Sequence, residues 1–282
     1  MKPAAVSAVL FLFILPFFIL PCRGFASGRA GLAGLQRRAG ISAGQRIAFF
    51  AERFLGTPYD TDPIGLYVAR KAIVADDRVD CMYLVFRAVE LALSSTPEGA
   101  RNLALTMRFR TKGRLGPDGK VLNYADRYRY GLDMILSGKW GSNITASLGK
   151  PLESLETSAR FQKMGVPKVL VLPRKEIDGA LAAFKSGDIV FFVKDPGRRA
   201  AQEVIGHMGI LAVRHGHVWL IHAHGSKVHA SAESRSGIAG GLGAGSVNKK
   251  IGNKKNGKVV KILFRDYVKK MPFIGIMVTR FD

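Results

Sequence analysis

Residues 76–87, DDRVDCMYLVFR, place a single cysteine between a charged turn and an apolar run. Asp80 is of a residue type that caps helix N-termini, so this stretch predicts a helix that begins at Cys81 and runs to about Leu93. A thiol in the first turn meets the positive end of the helix dipole, which favours the nucleophilic thiolate. The alternative is that Cys81 is an inert, small core hydrophobe, which is common for a lone cysteine.

The N-terminus has the pattern of a secretory signal peptide over residues 1–26. The basic Lys2 precedes a nearly continuous apolar run over residues 6–20, and the small residues Gly24 and Ala26 stand where signal peptidase reads. We therefore expect cleavage after Ala26 and an exported protein, periplasmic or in the cell envelope. An uncleaved signal that anchors the chain in the membrane is the alternative, although the run is short for a membrane span.

Export changes the meaning of the two cysteines in the chain. Cleavage after Ala26 removes Cys22 and leaves Cys81 as the only cysteine, so no internal disulfide can form. A free thiol in an oxidising compartment is a liability unless the protein uses it, which favours a functional Cys81. Lipidation of Cys22 is disfavoured because Pro21, and not a small residue, precedes it.

The composition describes a strongly basic chain with enough apolar residues for a substantial core. The net charge is +22 over 282 residues, of which 48% are hydrophobic. Such a charge favours anionic partners, which are nucleic acid, acidic lipid or an anionic cell-wall polymer. Charge alone does not choose among them, but the predicted export argues against nucleic acid and leaves anionic envelope polymers.

A hairpin rich in histidine is predicted from two strand-like runs, residues 207–214 and 217–224, joined by a two-residue turn at His215-Gly216. That turn fixes the pairing, so His222 faces Gly209, and a glycine there leaves room for an imidazole. Side chains alternate along a strand, so three histidines are expected on one face of the hairpin: His207, His222 and His224.

The order of elements along the chain predicts one α+β domain over residues 27–282. Apolar residues at helical spacing indicate a first helix over residues 42–55, ahead of the Cys81 helix. Strands are expected later in the chain: residues 189–193, the histidine hairpin, residues 259–264 and residues 273–281. Helices first and strands later indicate helices packed on an antiparallel sheet.

Two segments, residues 97–165 and 236–257, show little of the apolar periodicity that predicts helices or strands. The first segment has interleaved arginines and tyrosines at residues 127–130, which are suited to stacking on bases, to lining a sugar-peptide groove or to facing solvent. It also holds the sequon Asn143-Ile144-Thr145, a motif short enough to arise by chance. The second segment is rich in Gly, Ser, Asn and Lys, and predicts a flexible basic surface loop.

A cysteine at a helix start and histidines on a later hairpin together suit nucleophilic catalysis. His207 would take the thiol proton of Cys81 and later return a proton to a leaving amine, while His222 holds the imidazole in one tautomer. The backbone N–H of Cys81 is placed to donate to a developing oxyanion. Zinc binding by the three histidines is the alternative, although the spacing His-Glu-x-x-His is absent from the sequence.

Five short stretches of the chain are Gly56-Thr57-Pro58-Tyr59, Val79-Asp80-Cys81, Gly187-Asp188-Ile189-Val190, Gly206-His207-Met208-Gly209-Ile210 and Leu220-Ile221-His222-Ala223. They occur in the order found in the NlpC-type superfamily of papain-like cell-wall cysteine peptidases and amidases. The chain therefore resembles that superfamily. More narrowly, it resembles the amidase-like branch formerly of unknown function, in which a long insertion separates the cysteine from the histidines. Residues 97–165 resemble that insertion. His224 stands where a serine is common, and Met82 and Tyr83 follow the cysteine, which puts substrate specificity in doubt.

The resemblance implies a papain-like fold, with the cysteine helix packed on an antiparallel sheet or half-barrel and a helical insertion. It implies that Cys81 is the nucleophile, His207 the base and His222 the orienting residue, with no cofactor. The residues expected to contact substrate are Tyr59, which would border the cleft, and Asp80, Tyr83, Arg127, Tyr130 and His224.

The substrate implied is peptidoglycan or a muropeptide, cut by a monomer at the amide between N-acetylmuramic acid and L-alanine. The wider superfamily mostly cuts γ-D-glutamyl to diamino-acid bonds, so an endopeptidase is the first alternative. A catalytically inactive module that binds the envelope is the second.

Overall fold

The structure is a computed structural model that describes residues 40–62, 64–199, 203–225 and 257–282. The predicted signal peptide, with Cys22, and residues 236–256 of the predicted basic loop lie outside these residues. Within the described ranges, no helix is both long and apolar enough to cross a bilayer.

Helices and strands occur in the described residues with the following bounds. The α-helices are α1 Ala43–Glu52, α2 Leu66–Ala69, α3 Cys81–Leu93, α4 Pro97–Met107, α5 Gly131–Ser137, α6 Ala159–Lys163 and α7 Phe264–Lys270. The strands are β1 Ser142–Asn143, β2 Glu153–Glu156, β3 Lys168–Pro173, β4 Ile189–Val193, β5 Ile205–Arg214, β6 His217–His224, β7 Lys258–Leu263 and β8 Gly275–Arg280.

These strands form one antiparallel sheet in the order β2-β3-β8-β4-β5-β6-β7, with β1 paired to β8. The central strand β4 is buried at every position because the sheet is covered on both faces. Ile189 and Phe191 point into the core shared with α1 and α3, while Val190 and Phe192 point into the core beneath α7. The predicted α+β class with an antiparallel sheet is confirmed, and the half-barrel geometry stays a prediction.

Helix α3 is the central helix of the larger core, and its bounds are those predicted from the sequence. Because it is surrounded on all sides, its charged residues must be paired to be buried. Glu90 is fully buried and accepts hydrogen bonds from Arg108 at 2.6 Å and 2.8 Å and from Arg87 at 2.9 Å. Arg87 also pairs with Asp76 at 2.7 Å, so an ion network ties α3 to the chain on both sides of it.

The hairpin of β5 and β6 has the predicted register, with Arg214 paired to His217 and Ile210 to Ile221. His215 and Gly216 both have positive φ angles, 50° and 74°, as a two-residue turn that matches the strand twist requires. The hairpin lies directly against α3, so the histidines at its open end face the N-terminus of that helix.

The predicted insertion, residues 97–165, is built into the same sheet and core. It contains α4, α5 and α6, and it supplies β1 and β2 to the sheet. Its large aromatic side chains Phe109, Trp140 and Phe161 are fully buried, and Trp140 packs on Phe86 of α3. The segment therefore contributes one wall of the region in front of Cys81.

Candidate active site

Cys81 is the first residue of α3 and is partly buried. The Oδ1 atom of Asp80 caps this helix by accepting a hydrogen bond from the Tyr83 N–H at 2.6 Å. Burial most of all, and then the negative charge of Asp80, raises the pKa of the Cys81 thiol to about 12, although the backbone N–H groups of Met208, Cys81 and Met82 favour the thiolate. Desolvation thus opposes the helix dipole and the neighbouring N–H groups, which favour the thiolate as predicted.

His207 and His222 form a hydrogen-bonded pair, with 2.8 Å between Nε2 of His207 and Nδ1 of His222. If the proton of this bond is on His207, its Nδ1 is left without a hydrogen and is free to accept one from a thiol. Gly209 has no room for a side chain, because a Cβ there would lie 2.7 Å from Cδ1 of Leu220, 2.8 Å from the Ile221 carbonyl oxygen and 3.1 Å from the Cβ of His222. The strand alternation used in the sequence prediction therefore brings the two imidazoles together.

Both imidazoles are held in their neutral form. Burial, and then the charge of His224, lowers the pKa of His207 to about 4. Burial, and then the charges of His207 and His224, lowers the pKa of His222 to about 3. His222 is only 1% exposed, and its Nε2 has no hydrogen-bond partner among the described residues. At neutral pH the pair is therefore uncharged and able to accept a proton.

Cys81 and His207 line one cavity of about 70 Å³. Other side chains that line it include Met82, Arg129, Tyr130, Glu203 and Met208. A wider groove of about 700 Å³ borders Phe273 and contains neither the thiol nor the histidines. The smaller cavity is thus the candidate active site, because it contains both the nucleophilic atom and a neutral imidazole.

Several residues predicted to contact substrate lie at or beside this cavity. Tyr59 is close to the thiol, since burial and then the charges of Cys81 and Asp80 raise the pKa of its hydroxyl. Tyr130 lines the cavity, and the exposed ring of His224 lies 5.7 Å from that of His222. Asp80 serves as the helix cap, and burial raises the pKa of its carboxyl.

Two predicted substrate contacts, Tyr83 and Arg127, are not supported by the geometry. Tyr83 is 2% exposed, and its hydroxyl accepts from the Ala75 N–H at 2.5 Å and donates to Asp76 at 3.0 Å. The helical period points Tyr83 into the core, whereas Cys81 and Met82 before it are only partly buried. Arg127 donates to the Tyr124 carbonyl at 3.1 Å and does not line the cavity. Both side chains therefore have structural partners in place of the predicted substrate contact.

Tyr267 of α7 is a site residue that the sequence did not reveal. Its ring centroid lies 5.0 Å from that of His222 and 6.1 Å from that of His207. Burial, and then the charge of Cys81, raises the pKa of its hydroxyl. Phe273 stacks parallel to His207 at 6.3 Å. No local pattern marks either residue, because only the sheet order brings α7 over the hairpin.

Three of the solved structures that resemble this chain are of similar size. An N-acetylmuramoyl-L-alanine amidase from Bacteroides uniformis matches with a TM-score of 0.58 and 20% identity over 84% of this chain and 98% of its own. A putative xylanase from Bacteroides fragilis matches with a TM-score of 0.56 and 21% identity over 83% and 100%. A Legionella pneumophila protein of the family DUF1460 matches with a TM-score of 0.58 and 15% identity over 89% and 92%.

These proteins share the fold of this chain. The likeness covers most of this chain and most of each partner. No family model matches the sequence, and none of the curated proteins matches it. At these identities the likeness concerns architecture, so the chemistry has to be argued from the residues of the cavity.

The arrangement suits proton transfer between a thiol and an imidazole. Among the described residues, no group of three or more His, Cys, Asp and Glu side chains is placed to hold a metal ion, so the zinc alternative gains no support there. The cavity brings together a thiol and a neutral imidazole, and that imidazole is hydrogen-bonded to a second histidine.

Proposed function

We propose that this protein is an exported cysteine hydrolase that cleaves the amide bond between N-acetylmuramic acid and L-alanine in peptidoglycan or muropeptides. The observation that carries the proposal is the single cavity lined by Cys81 and His207, with His207 hydrogen-bonded to His222. The fold shared with amidases of that name supports this bond as the one cleaved.

The proposed reaction begins from the neutral pair. The Nδ1 atom of His207 takes the thiol proton as the Cys81 sulfur attacks the carbonyl carbon of the lactyl amide. The backbone N–H of Cys81 donates to the oxyanion that forms. The imidazolium then gives its proton to the departing amine of L-alanine, and a thioester between Cys81 and the lactyl group remains.

Hydrolysis of the thioester completes the cycle. Water loses one proton to His207 as its oxygen attacks the thioester carbonyl. The C–S bond then breaks, the proton passes from His207 to the Cys81 sulfur, and the lactyl carboxylic acid leaves and loses its remaining proton to solvent. Throughout both steps His222 keeps the imidazole of His207 in one orientation and one tautomer. We further propose that the enzyme acts as a monomer without a cofactor, and that its net charge of +22 attracts it to anionic envelope polymers rather than to nucleic acid.

The test is cleavage of a defined disaccharide-tetrapeptide, followed by mass spectrometry of the products. The proposal expects a free tetrapeptide with N-terminal alanine from the wild type and none from Cys81→Ala, with the circular dichroism of the variant unchanged. The variant Cys22→Ser should keep full activity, because that cysteine lies within the predicted signal peptide. Cleavage by Cys81→Ala would refute the mechanism.

The same digest separates the alternatives. A disaccharide-dipeptide product would identify an endopeptidase that uses the same cavity. Binding of purified sacculi without any product would identify an inactive envelope-binding module.

A further inference from the structure

Arg129 is a cation at the candidate active site that lacks a counterion. It is exposed and lines the cavity with Cys81 and His207. Among the described residues it makes no ion pair, whereas the carboxylate on the same cavity, Glu203, is paired with Lys194. The cavity therefore presents a free positive charge beside the thiol.

Three other arginines of the insertion have carboxylate partners. Arg108 is held by Glu90 at 2.6 Å, and Arg160 is held by Asp133 at 3.0 Å. Arg110 also contacts Asp133, at 3.6 Å. Arg129 differs from these three because it lines the cavity and makes no ion pair with any described residue.

The backbone that carries Arg129 is fixed relative to the base. A Cβ added at Gly131 would lie 2.8 Å from Cγ2 of Ile205 and 2.9 Å from Cε of Met208, so the start of α5 packs directly on β5. The Tyr130 ring is covered by the Arg160 guanidinium, 5.2 Å from its centroid. The position of Arg129 relative to His207 is therefore set by packing.

We propose that Arg129 recognises a carboxylate on the peptide side of the substrate. This carboxylate belongs to the second peptide residue, counted from the amide that is cut. A guanidinium binds a carboxylate through two parallel hydrogen bonds, which gives specificity as well as attraction. This inference rests on the proposed function and deepens it, since it fixes the direction in which the substrate lies. The sugar side of the substrate carries no charge near the scissile bond. In this proposal the peptide side therefore lies along the wall formed by the insertion, where Arg129 is.

The first carboxylate on that side belongs to the second peptide residue. In a stem peptide that begins L-alanyl-D-isoglutamyl, it lies about two residue lengths, on the order of 7 Å, from the scissile bond. When the carboxylate is amidated to isoglutamine, its charge is lost while its size is kept.

The experiment compares two substrates that differ only in this group: N-acetylmuramoyl-L-alanyl-D-isoglutamate and N-acetylmuramoyl-L-alanyl-D-isoglutamine. The wild type is expected to prefer isoglutamate in kcat/KM by about five- to tenfold at low salt, with the difference mostly in KM. Arg129→Gln should bring the ratio close to one, and Arg129→Lys should keep part of it. Salt should reduce the ratio for the wild type, because the cavity is open to solvent.

Arg110→Gln is the matched control, since it removes the charge of another arginine in the insertion. Its partner Asp133 remains paired with Arg160 in this variant. It should keep the wild-type ratio. Equal cleavage of both substrates by the wild type would overturn the role of Arg129 and leave the proposed function standing. If neither compound is cut, cleavage of the disaccharide-tetrapeptide decides the proposed function. In that case Cys81→Ala, titrated calorimetrically with both compounds, tests the inference alone, and equal affinities would refute it.

Discussion

The Cys81 thiol of the resting enzyme is expected to react slowly with small disulfides, although it stands at a helix N-terminus. Burial raises its pKa to about 12, and His207, with its pKa lowered to about 4, does not hold the thiol proton at rest. The nucleophile is then formed only when a substrate carbonyl is in place. The rate of thiol modification in the free enzyme reports this directly.

The size of the effect follows from the thiolate population. At pH 8 a thiol with a pKa of about 12 is ionised in about one molecule in 10⁴, against about one in four for an ordinary cysteine with a pKa near 8.5. The thiolate population of folded Cys81 is therefore roughly 2000-fold lower than that of an ordinary cysteine. A more basic thiolate is a better nucleophile, which recovers about 40-fold at a Brønsted coefficient of ~0.45. The net expectation is a rate about 50-fold below that of an unfolded reference.

The assay uses Cys22→Ser, in which Cys81 is the only thiol of the chain. Reaction with 2,2′-dithiodipyridine is followed by absorbance from pH 6 to 9.5, for the folded protein and for the same protein in urea. The logarithm of the folded rate should rise by about one per pH unit without a bend, whereas the unfolded rate should level off above pH 8.5. Restricted access to the cavity lowers the rate equally at every pH, so the slope separates ionisation from access.

A different slope would refute the reasoning. A folded rate that is flat between pH 6 and 8, and equal to or above the unfolded rate, would mean that Cys81 and His207 form a thiolate–imidazolium pair at rest. The helix dipole and the facing N–H groups would then outweigh desolvation. The neutral starting state proposed for the reaction would have to be abandoned.

Three further outcomes follow from the same structure. Because the base must be unprotonated and the pKa of His207 is about 4, kcat/KM should stay level from pH 7 to 5 and fall with a midpoint near 4; a midpoint near 6.5 would contradict this. Tyr267→Ala should admit water to both imidazoles and move that midpoint upward, whereas Tyr267→Phe should keep it in place, as pH–rate profiles will show. Glu90→Gln should lower the free energy of unfolding in urea by about 3 kcal/mol, because buried Arg108 then has no counterion on Glu90. The exposed control Glu98→Gln should change the free energy of unfolding by less than ~0.5 kcal/mol.

Much of the framework of the site could be predicted because it depends on local interactions. An N-cap acts on residues two or three positions away, so Asp80 was enough to place Cys81 at the start of α3. A two-residue turn fixes the register of its hairpin, so the approach of His207 and His222 followed from His215-Gly216.

Only the tertiary structure decided what surrounds those groups. Burial depends on which elements pack together, so the raised pKa of Cys81 overrides the local dipole, and Tyr83 is withdrawn into the core. Tyr267 reaches the histidines because strand order, which local sequence does not specify, places α7 against β6 and β7. Sequence alone therefore determined where the thiol and the imidazoles stand, while long-range packing determined their charge state and the residues a substrate would meet.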